Sequence, residues 1–428
     1  MSVAPSEAPA ASRFFYGWWV VFASAAVILL SAGTFAYGFG TLVNPLTAEF
    51  GWSRAAISLG FSLRTEVGGL AAPLVGFWVD RFGPRMIMLV GVLIAGAGFI
   101  LLSRVESLIA FYAVIVFISL GTSSTSSSAP NVAISRWFRK RRGRALGLMT
   151  LGGGLSGIMA LLMAWLIDNY GWRDALVAAG VLQLVLGVPL AFSIRNRPEE
   201  MGLHQDGIAP DDAAAGAAAR RLDSQGLTTK EALRTSAFWR IAIAMGLSSF
   251  ATTAVIVHQV PFLTEAANMS DAGAAASVTA MTVLSVLGRL GLGTAADYWT
   301  NRTAMFVALT CVSLSMFLFA TVSAPWQLAY VLIVFGIGHG GVIPVRSSIY
   351  AEYFGLKALG SIQGLALTTQ TVGGFLGPIL AGVLYDQSDS YRLAFLLLAI
   401  APLIGAPLVL TAKRPKWREE ETQAPAAG

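Results

Sequence analysis

Arg289 lies inside an apolar stretch, Thr282–Asp297, that has the composition of a membrane helix. Eight residues separate it from Asp297, which corresponds to about 12 Å of helix. Half of a bilayer's hydrocarbon core is about 15 Å thick, so the guanidinium should lie near the midplane. Because an isolated charge is costly there, we expect Arg289 to face a protein interior or a watery cavity. Its planar fork of donors suits a carboxylate, and we predict that it binds an anionic substrate.

Other apolar stretches also carry isolated polar side chains at helical spacing. Ser285 lies one turn before Arg289, and His339 lies seven residues before Arg346, so each pair shares a helix face. Such side chains either line a substrate cavity or bond to neighbouring helices, and Arg289 itself has the alternative of a structural ion pair. The predicted substrate contacts besides Arg289 are Ser285, Tyr37, His258, Gln259, His339 and Gln370.

Three titratable groups inside apolar stretches are candidates for carrying a coupling proton. Glu66 is an acidic residue well inside such a stretch, and His258 and His339 have side chains that titrate near neutral pH. Glu66 is close in sequence to Arg64, so a structural ion pair is the alternative. We therefore predict a proton-coupling role for Glu66, His258 or His339.

The composition indicates a membrane protein. Charged residues make up 12% of the chain and hydrophobic residues 55%, whereas an average soluble chain is about 25% charged. Apolar runs of about 20 residues predict an all-α membrane protein with twelve transmembrane helices in two six-helix halves. Thr228–Glu231 (TTKE) predicts a capped short helix before the second half. The predicted segments are a disordered N-terminus (1–13), the first half (14–194), a linker (195–236), the second half (237–412) and a tail (413–428).

The positions of the basic residues indicate the orientation. The formal charge of +6 raises the possibility of a nucleic-acid partner. Most of the 29 lysines and arginines, however, lie at one set of helix ends, in the linker and in the tail. By the positive-inside rule that side is cytoplasmic, and both termini lie there. The sequence therefore predicts the lipid bilayer and no nucleic acid as a partner.

The two halves repeat one another. Gly76–Arg85 (GFWVDRFGPR) corresponds to Gly293–Arg302 (GTAADYWTNR), and Arg173 corresponds to Arg392 at nearly the same spacing. In a parallel repeat of this kind the substrate site lies at the interface of the halves, near the bilayer midplane.

The repeated loop is the predicted gate. An aspartate at a helix end can interact with the N-terminal dipole of another helix. Because Tyr298 stands where the first copy has Arg81, we expect the latch between the halves to be asymmetric. Arg346 lies seven residues before the Tyr353–Phe354 loop, which corresponds to Trp137–Phe138 of the first half, and it is expected near Asp297. The predicted gating residues are Asp80, Arg81, Arg85, Asp297 and Arg346.

Other kinds of chemistry have little support in the sequence. Gly291–Ala296 matches G-x-G-x-x-A but lies within an apolar helix and follows no strand, so dinucleotide binding is not expected. The sequence shows no phosphate loop, metal-ligand cluster or nucleophile–base pair, and its single cysteine, Cys311, excludes an intrachain disulfide. We therefore expect neither an enzyme nor a cofactor or metal site.

The motifs resemble a known family. Gly76–Arg85 is similar to the loop motif G-x-x-x-D-R-x-G-x-R of the major facilitator superfamily. Tyr16–Trp18 (YGW) and Trp137–Gly147 (WFRKRRGRALG) resemble signatures of its monocarboxylate and oxalate/formate porters, and Phe50–Arg54 (FGWSR) and Arg197–Gly202 (RPEEMG) resemble segments of its bacterial members. The resemblance implies the twelve-helix fold of that superfamily, a bacterial inner membrane and a loop that latches the halves in an outward-facing state.

The resemblance also implies site roles. Arg289 matches the eighth-helix arginine that binds the substrate carboxylate in this family. Animal monocarboxylate carriers have an aspartate one turn before it, where this chain has Ser285, and the oxalate exchanger has a lysine in helix eleven, where this chain offers Gln363 and Gln370.

The favoured function is therefore secondary active transport of a small organic carboxylate by alternating access. The favoured substrate is a monocarboxylate, carried together with a proton. A dicarboxylate or oxalate/formate-type antiporter, with Arg64 as a second cationic contact, is the alternative. A non-transporting membrane sensor is the alternative from another class. We expect a monomer.

Overall fold

The computed structural model describes residues 15–37, 42–126, 128–155, 157–207, 226–388 and 390–415. The regular secondary structure of these residues is entirely helical. The predicted disordered N-terminus, 1–13, lies outside the described residues, as do the middle of the linker and the end of the tail.

Among the described residues, the first half contains nine α-helices, of which the first continues as a π-helix over Leu29–Tyr37. They are α1 (Tyr16–Ile28), α2 (Val43–Phe50), α3 (Arg54–Phe82), α4 (Pro84–Leu102), α5 (Leu108–Ser126), α6 (Ser128–Trp137), α7 (Arg142–Gly154), α8 (Gly157–Tyr170) and α9 (Trp172–Ser193).

A short helix, α10 (Thr229–Leu233), leads into the second half. The helices of that half are α11 (Ser236–Ala266), α12 (Asp271–Tyr298), α13 (Asn301–Thr321), α14 (Leu328–Phe354), α15 (Leu359–Ser388) and α16 (Tyr391–Leu410). In the described chain, 10 helical segments are long and apolar enough to cross a membrane. Helix α3, which carries charged residues, and the pair α7–α8 are not among these 10 segments. They stand second and fifth in the order of the chain, so each of the twelve predicted transmembrane helices has a helical counterpart.

Glycine allows helices to approach closely both within a half and between the halves. A Cβ on Gly340 of α14 would lie 2.0 Å from the carbonyl oxygen of Ser285 on α12. A Cβ on Gly76 of α3 would lie 2.0 Å from the carbonyl oxygen of Gly360 on α15. Small residues of this kind let backbones touch where no hydrophobic effect drives helices together within lipid. The second contact joins the two halves.

The linker is attached to both halves. Thr228 and Glu231 form the predicted capping box at the start of α10, and the N–H of Leu227 donates to the carbonyl of Phe354 at 2.9 Å. Asp206, in left-handed conformation with φ 58°, accepts hydrogen bonds from the main-chain N–H groups of Arg139 and Lys140 at 3.0 and 2.8 Å. The loop between α6 and α7 is thereby held in one conformation.

Candidate functional site

Asp80 joins the two halves at the end of the bundle that carries Arg139–Arg142, which we call the basic face. Its carboxylate accepts hydrogen bonds from the N–H groups of Gly360 and Ser361, each at 2.8 Å, and from the Ser361 hydroxyl at 2.7 Å. These groups lie in the first turn of α15, where orphan N–H groups and the helix dipole favour a negative charge. Asp80, at the end of α3, therefore caps a helix of the other half.

Asp297, near the end of α12, makes the matching contact in the opposite direction. Its carboxylate accepts from the N–H groups of Gly143 at 2.6 Å and Arg144 at 2.9 Å, in the first turn of α7. The two aspartates thus act symmetrically, in contrast to the asymmetric latch expected from Tyr298. Arg81 is exposed, and its guanidinium lies 5.5 Å from the ring of its neighbour Phe82.

Arg85 also lies within its own half. Its guanidinium lies 4.2 Å from the ring centroid of Phe192, and its main-chain N–H donates to the side chain of Asn196 at 3.0 Å. Among the three charged residues of this loop, Asp80 therefore makes the described hydrogen bonds that cross between the halves.

Arg289 reaches from α12 to the other half. The residue is 8% exposed, and its Nη1 donates to the backbone carbonyl of Thr150 on α7. The guanidinium also packs beside Gly154 of α7, where a Cβ would lie 3.6 Å from Nε. The charge faces the protein interior, as expected from its depth. The hydrogen bond to Thr150 goes to a carbonyl oxygen, whereas the expected structural partner was a carboxylate.

A central cavity of about 320 Å³ lies between α3, α11, α14 and α15. It brings together Glu66, His339, Arg346 and Gln370. Arg346 donates through Nη1 to Oε1 of Gln370, and His339 lies within electrostatic reach of both Arg346 and Arg289. Arg346 was expected beside Asp297 in the gate, but the structure places it in the wall of this cavity.

Hydroxyl groups line the side of the cavity formed by α11. Ser248, Ser249, Thr252 and Thr253 all contribute to this wall. None of the four is among the predicted substrate contacts. The sequence signal for them is the spacing in Ser248–Thr253 (SSFATT), where two hydroxyl pairs stand one helical turn apart.

Of the other predicted substrate contacts, His258, Gln259 and Ser285 are not among the described residues that line this cavity. His258 places Nε2 3.0 Å from a backbone carbonyl of α15, and Gln259 donates to a serine hydroxyl of α12 at 2.5 Å. Ser285 donates to a carbonyl of its own helix at 2.6 Å. All three are thus engaged in packing within the second half. Tyr37 is the last residue of the π-helix, and its side chain lies outside the described part of the structure.

The cavity wall contains the kinds of group that anion binding and proton exchange require. Arg346 supplies a guanidinium, α11 and Gln370 supply neutral hydrogen-bonding groups, and Glu66 supplies a titratable carboxyl group in the same wall. Two helical halves that meet at one face and enclose a cavity with such groups in its wall are the architecture of membrane transporters. Residues 25–375 and 241–428 match the model of the Major Facilitator Superfamily, and the chain belongs to this superfamily.

Similar proteins include carriers of small organic anions. Monocarboxylate transporter 13 of Rattus norvegicus is 27% identical over 405 residues, which cover 92% of this chain and 89% of the relative. The Oxalate:formate antiporter of Oxalobacter formigenes is 24% identical over 404 residues, covering 91% and 90%. These similarities confirm the family resemblance inferred from the motifs.

Solved structures show the same fold. The human organic anion transporter MFSD10 (TETRAN) superposes with a TM-score of 0.69 at 16% identity, covering 92% of this chain and 98% of that one. The E. coli Fucose:proton symporter superposes with a TM-score of 0.68 at 12% identity, covering 93% and 100%. The predicted all-α fold of this superfamily is thus confirmed.

Proposed function

We propose that the protein is a secondary active transporter of a small organic anion, with a monocarboxylate and proton symport favoured, that works by alternating access. The observation that carries this proposal is the central cavity, whose wall includes a guanidinium, an imidazole, hydroxyls and a carboxyl group. Charged groups inside the membrane are costly and are kept where they bind or move ions. The similarity to monocarboxylate transporters supports the same substrate class.

Arg346 is the proposed principal contact of the substrate carboxylate. Its described acceptor, Oε1 of Gln370, is a neutral amide oxygen. A carboxylate is the stronger acceptor because both partners of the bond are then charged. The substrate would therefore replace the amide at Arg346, while Gln370 and the hydroxyls of Thr252 and Thr253 bind its remaining polar atoms.

Glu66 is the proposed proton carrier. It lines the same cavity as Arg346, so its protonation and the arrival of an anion would act on each other through a low-dielectric space. A protonated Glu66 leaves the cavity with more net positive charge, which favours anion entry. His339, in the same wall, is the second candidate.

A dicarboxylate or oxalate/formate-type antiporter is the second proposed function. Arg346 and Arg289 both lie within electrostatic reach of His339, so the cavity region has two guanidinium groups. Arg64, the second cation expected from the sequence, instead lies 5.5 Å from the ring of Phe35 and does not line the described cavity. The similarity to the Oxalate:formate antiporter favours this reading.

The proposed orientation places the basic face in the cytoplasm of a bacterium, with both termini on that side of the inner membrane. The support is the concentration of basic residues on that face. Along α3 and α15, the described close approaches between the halves run from Asp80 at this face to Gly69 and Thr371, and α7 meets α12 on the other side through Gly143 and Gly147. The structure would then be the state that is closed to the cytoplasm.

Thermal unfolding of the purified protein with lactate, formate, oxalate and malonate tests the proposal. A ligand stabilises the folded state according to its affinity, so a monocarboxylate should raise the midpoint of the wild type. Arg346→Lys should weaken binding at least tenfold, because lysine lacks the planar fork. The matched control is Arg302→Lys, which changes an exposed arginine at the basic face.

Each outcome of this screen separates the functions. Stabilisation by oxalate and malonate but not by lactate would support the antiporter and contradict the monocarboxylate. Full wild-type affinity in Arg346→Lys would refute the proposed contact. Binding without any flux of the same anion into proteoliposomes would leave the membrane sensor as the function.

A further inference from the structure

A second cavity, of about 280 Å³, lies at the basic face and is separate from the transport site. Four basic side chains line it, from three parts of the chain: Arg139 and Lys140 in the loop after α6, Arg142 at the start of α7, and Arg414 after α16. We call it the gate pocket. So many cations around one small volume favour a multiply charged anion.

The acidic groups at the gate pocket have several partners. Asp297 accepts from the main-chain N–H groups of α7 and lies within electrostatic reach of Arg142, and Glu352 accepts from the side chain of Asn301. The four basic side chains still exceed in number these two carboxylates and that of Asp206, which also lies within electrostatic reach of Asp297. Helix α13 also begins at Asn301, so its positive N-terminal end lies in the same wall.

Hydrogen bonds hold the backbone that carries Arg139 and Lys140, and they hold the side chain of Arg142. Asp206 binds the main-chain N–H groups of Arg139 and Lys140, and the Arg142 guanidinium donates to the carbonyls of Phe138 and Ser135 at 3.1 and 3.2 Å. A preformed arrangement costs less entropy when a ligand binds. Phosphate oxygens match both the fork of an arginine and the point charge of a lysine.

The walls of the gate pocket come from both halves. Arg139 and Arg142 belong to the first half, and Asp297, Ser348 and Glu352 belong to the second. Opening the basic face would separate these walls. A ligand that fits the pocket binds the closed state better than the open state and shifts the population toward the closed state.

From these contacts we propose that a phosphate-bearing anion binds in the gate pocket and holds the basic face closed. The ligand is either a soluble phosphate compound or a phospholipid head group, since both present the same oxygens. This site would make transport sensitive to an anion that is not the substrate.

Binding is tested by thermal unfolding of the full chain in uncharged detergent, with inorganic pyrophosphate and sodium chloride at matched ionic strength. Pyrophosphate should raise the midpoint of the wild type, and Arg139→Gln with Lys140→Gln should weaken its apparent affinity at least tenfold. The matched control is Arg141→Gln with Lys230→Gln, which removes two basic side chains that do not line the pocket. Glu352→Gln should tighten binding several-fold, an effect that a folding defect would not produce.

Lipid nanodiscs distinguish the source of the phosphate. If phosphatidylglycerol stabilises the wild type more than phosphatidylcholine does, and this difference disappears in the Arg139→Gln, Lys140→Gln variant, the ligand is a lipid head group. Stabilisation by pyrophosphate in phosphatidylcholine identifies a soluble compound. If neither probe stabilises the wild type, or the pocket variant keeps wild-type affinity, the gate pocket is not an anion site.

Closure is tested with a cysteine reporter, Ser128→Cys in a Cys311→Ala background. Ser128 is 2% exposed. It is the first residue of α6, whose other end leads to Arg139 at the basic face. The bound probe should slow maleimide labelling of this cysteine at least threefold. An unchanged rate in the presence of bound probe would contradict the proposed closure.

Discussion

Two arginines inside the membrane have different surroundings, and these decide what each can do. Arg289 bridges the halves through the backbone carbonyl of Thr150, whereas Arg346 lines the central cavity and bonds to the amide of Gln370. An arginine that bonds from one half to the other loses this bond when the halves separate. An arginine in a cavity wall contacts the ligand directly. We therefore propose that substrate affinity depends mainly on Arg346 and that coupling between the halves depends mainly on Arg289.

At the opposite end of the molecule from the basic face, Glu49 accepts hydrogen bonds from Arg173 at 2.8 Å and from the indole of Trp172 at 2.6 Å. The Arg173 and Trp172 side chains lower the pKa of Glu49 below its ordinary value of 4.5. A depressed folded-state pKa stabilises the protein above the unfolded-state pKa, and this contribution is lost as the pH falls.

Glu49→Gln should consequently lower the unfolding midpoint at pH 7 by a small amount, since the Glu49–Arg173 pair is partly exposed. The difference from the wild type should shrink as the pH falls below about 4.5, where the carboxylate becomes protonated. Thermal unfolding of both proteins across this pH range checks the prediction. A difference that stays constant down to pH 3 would show that the ionised carboxylate is not responsible.

At the scale of helices, two reciprocal caps join the halves at the basic face. Asp80 lies near the end of α3 and caps α15, and Asp297 lies near the end of α12 and caps α7. Each cap crosses between the halves and would break if this face opened. We therefore propose that the repeated sequence supplies a pair of equivalent latches, although the residue after the aspartate differs between the copies.

Asp80→Asn and Asp297→Asn should each favour the open state, because an amide lacks the charge that the helix N-terminus attracts. The loss of such a cap is worth about 1 kcal/mol, or roughly a fivefold shift in population. Labelling of the Ser128→Cys reporter should accelerate by a similar factor in each variant. If Asp80→Asn accelerates labelling and Asp297→Asn does not, the two latches are not equivalent.

At the scale of the whole molecule, the glycine contacts and the caps join the halves on the side of the basic face, and the central cavity begins where those contacts end. Gly69 of α3 meets Thr371 of α15, and Thr371 also lines the cavity. The gate and the proposed substrate site are therefore connected through the same two helices. Movement of α3 against α15 would alter both.

If protons are coupled, an imposed pH gradient alone should drive accumulation of the anion in proteoliposomes. Glu66→Gln should abolish this accumulation because an amide cannot carry the proton, while exchange of internal for external anion continues. Thr65→Ser, a conservative change in the same wall, is the control. Accumulation that persists in Glu66→Gln would contradict its role, and His339→Gln would then be the next variant to measure.

Much of this architecture is readable from the sequence because it depends on local composition. Apolar runs specify the membrane helices, the capping box at Thr228 depends on residues within one turn, and the repeated loop marks Asp80 and Asp297 as equivalent. These features arise from hydrophobicity and from short-range hydrogen bonds, which need no knowledge of the partner helices.

Only the tertiary structure decided which polar side chains share the cavity. His258, Gln259 and Ser285 pack within the second half, whereas Arg346 faces the cavity together with Gln370. Helical spacing tells which residues share a face, but in a helix surrounded by other helices it does not tell where that face points. Glycine-mediated packing sets the rotation and depth of each helix. The long-range contacts from that packing place Arg289 against α7 and Arg346 in the cavity.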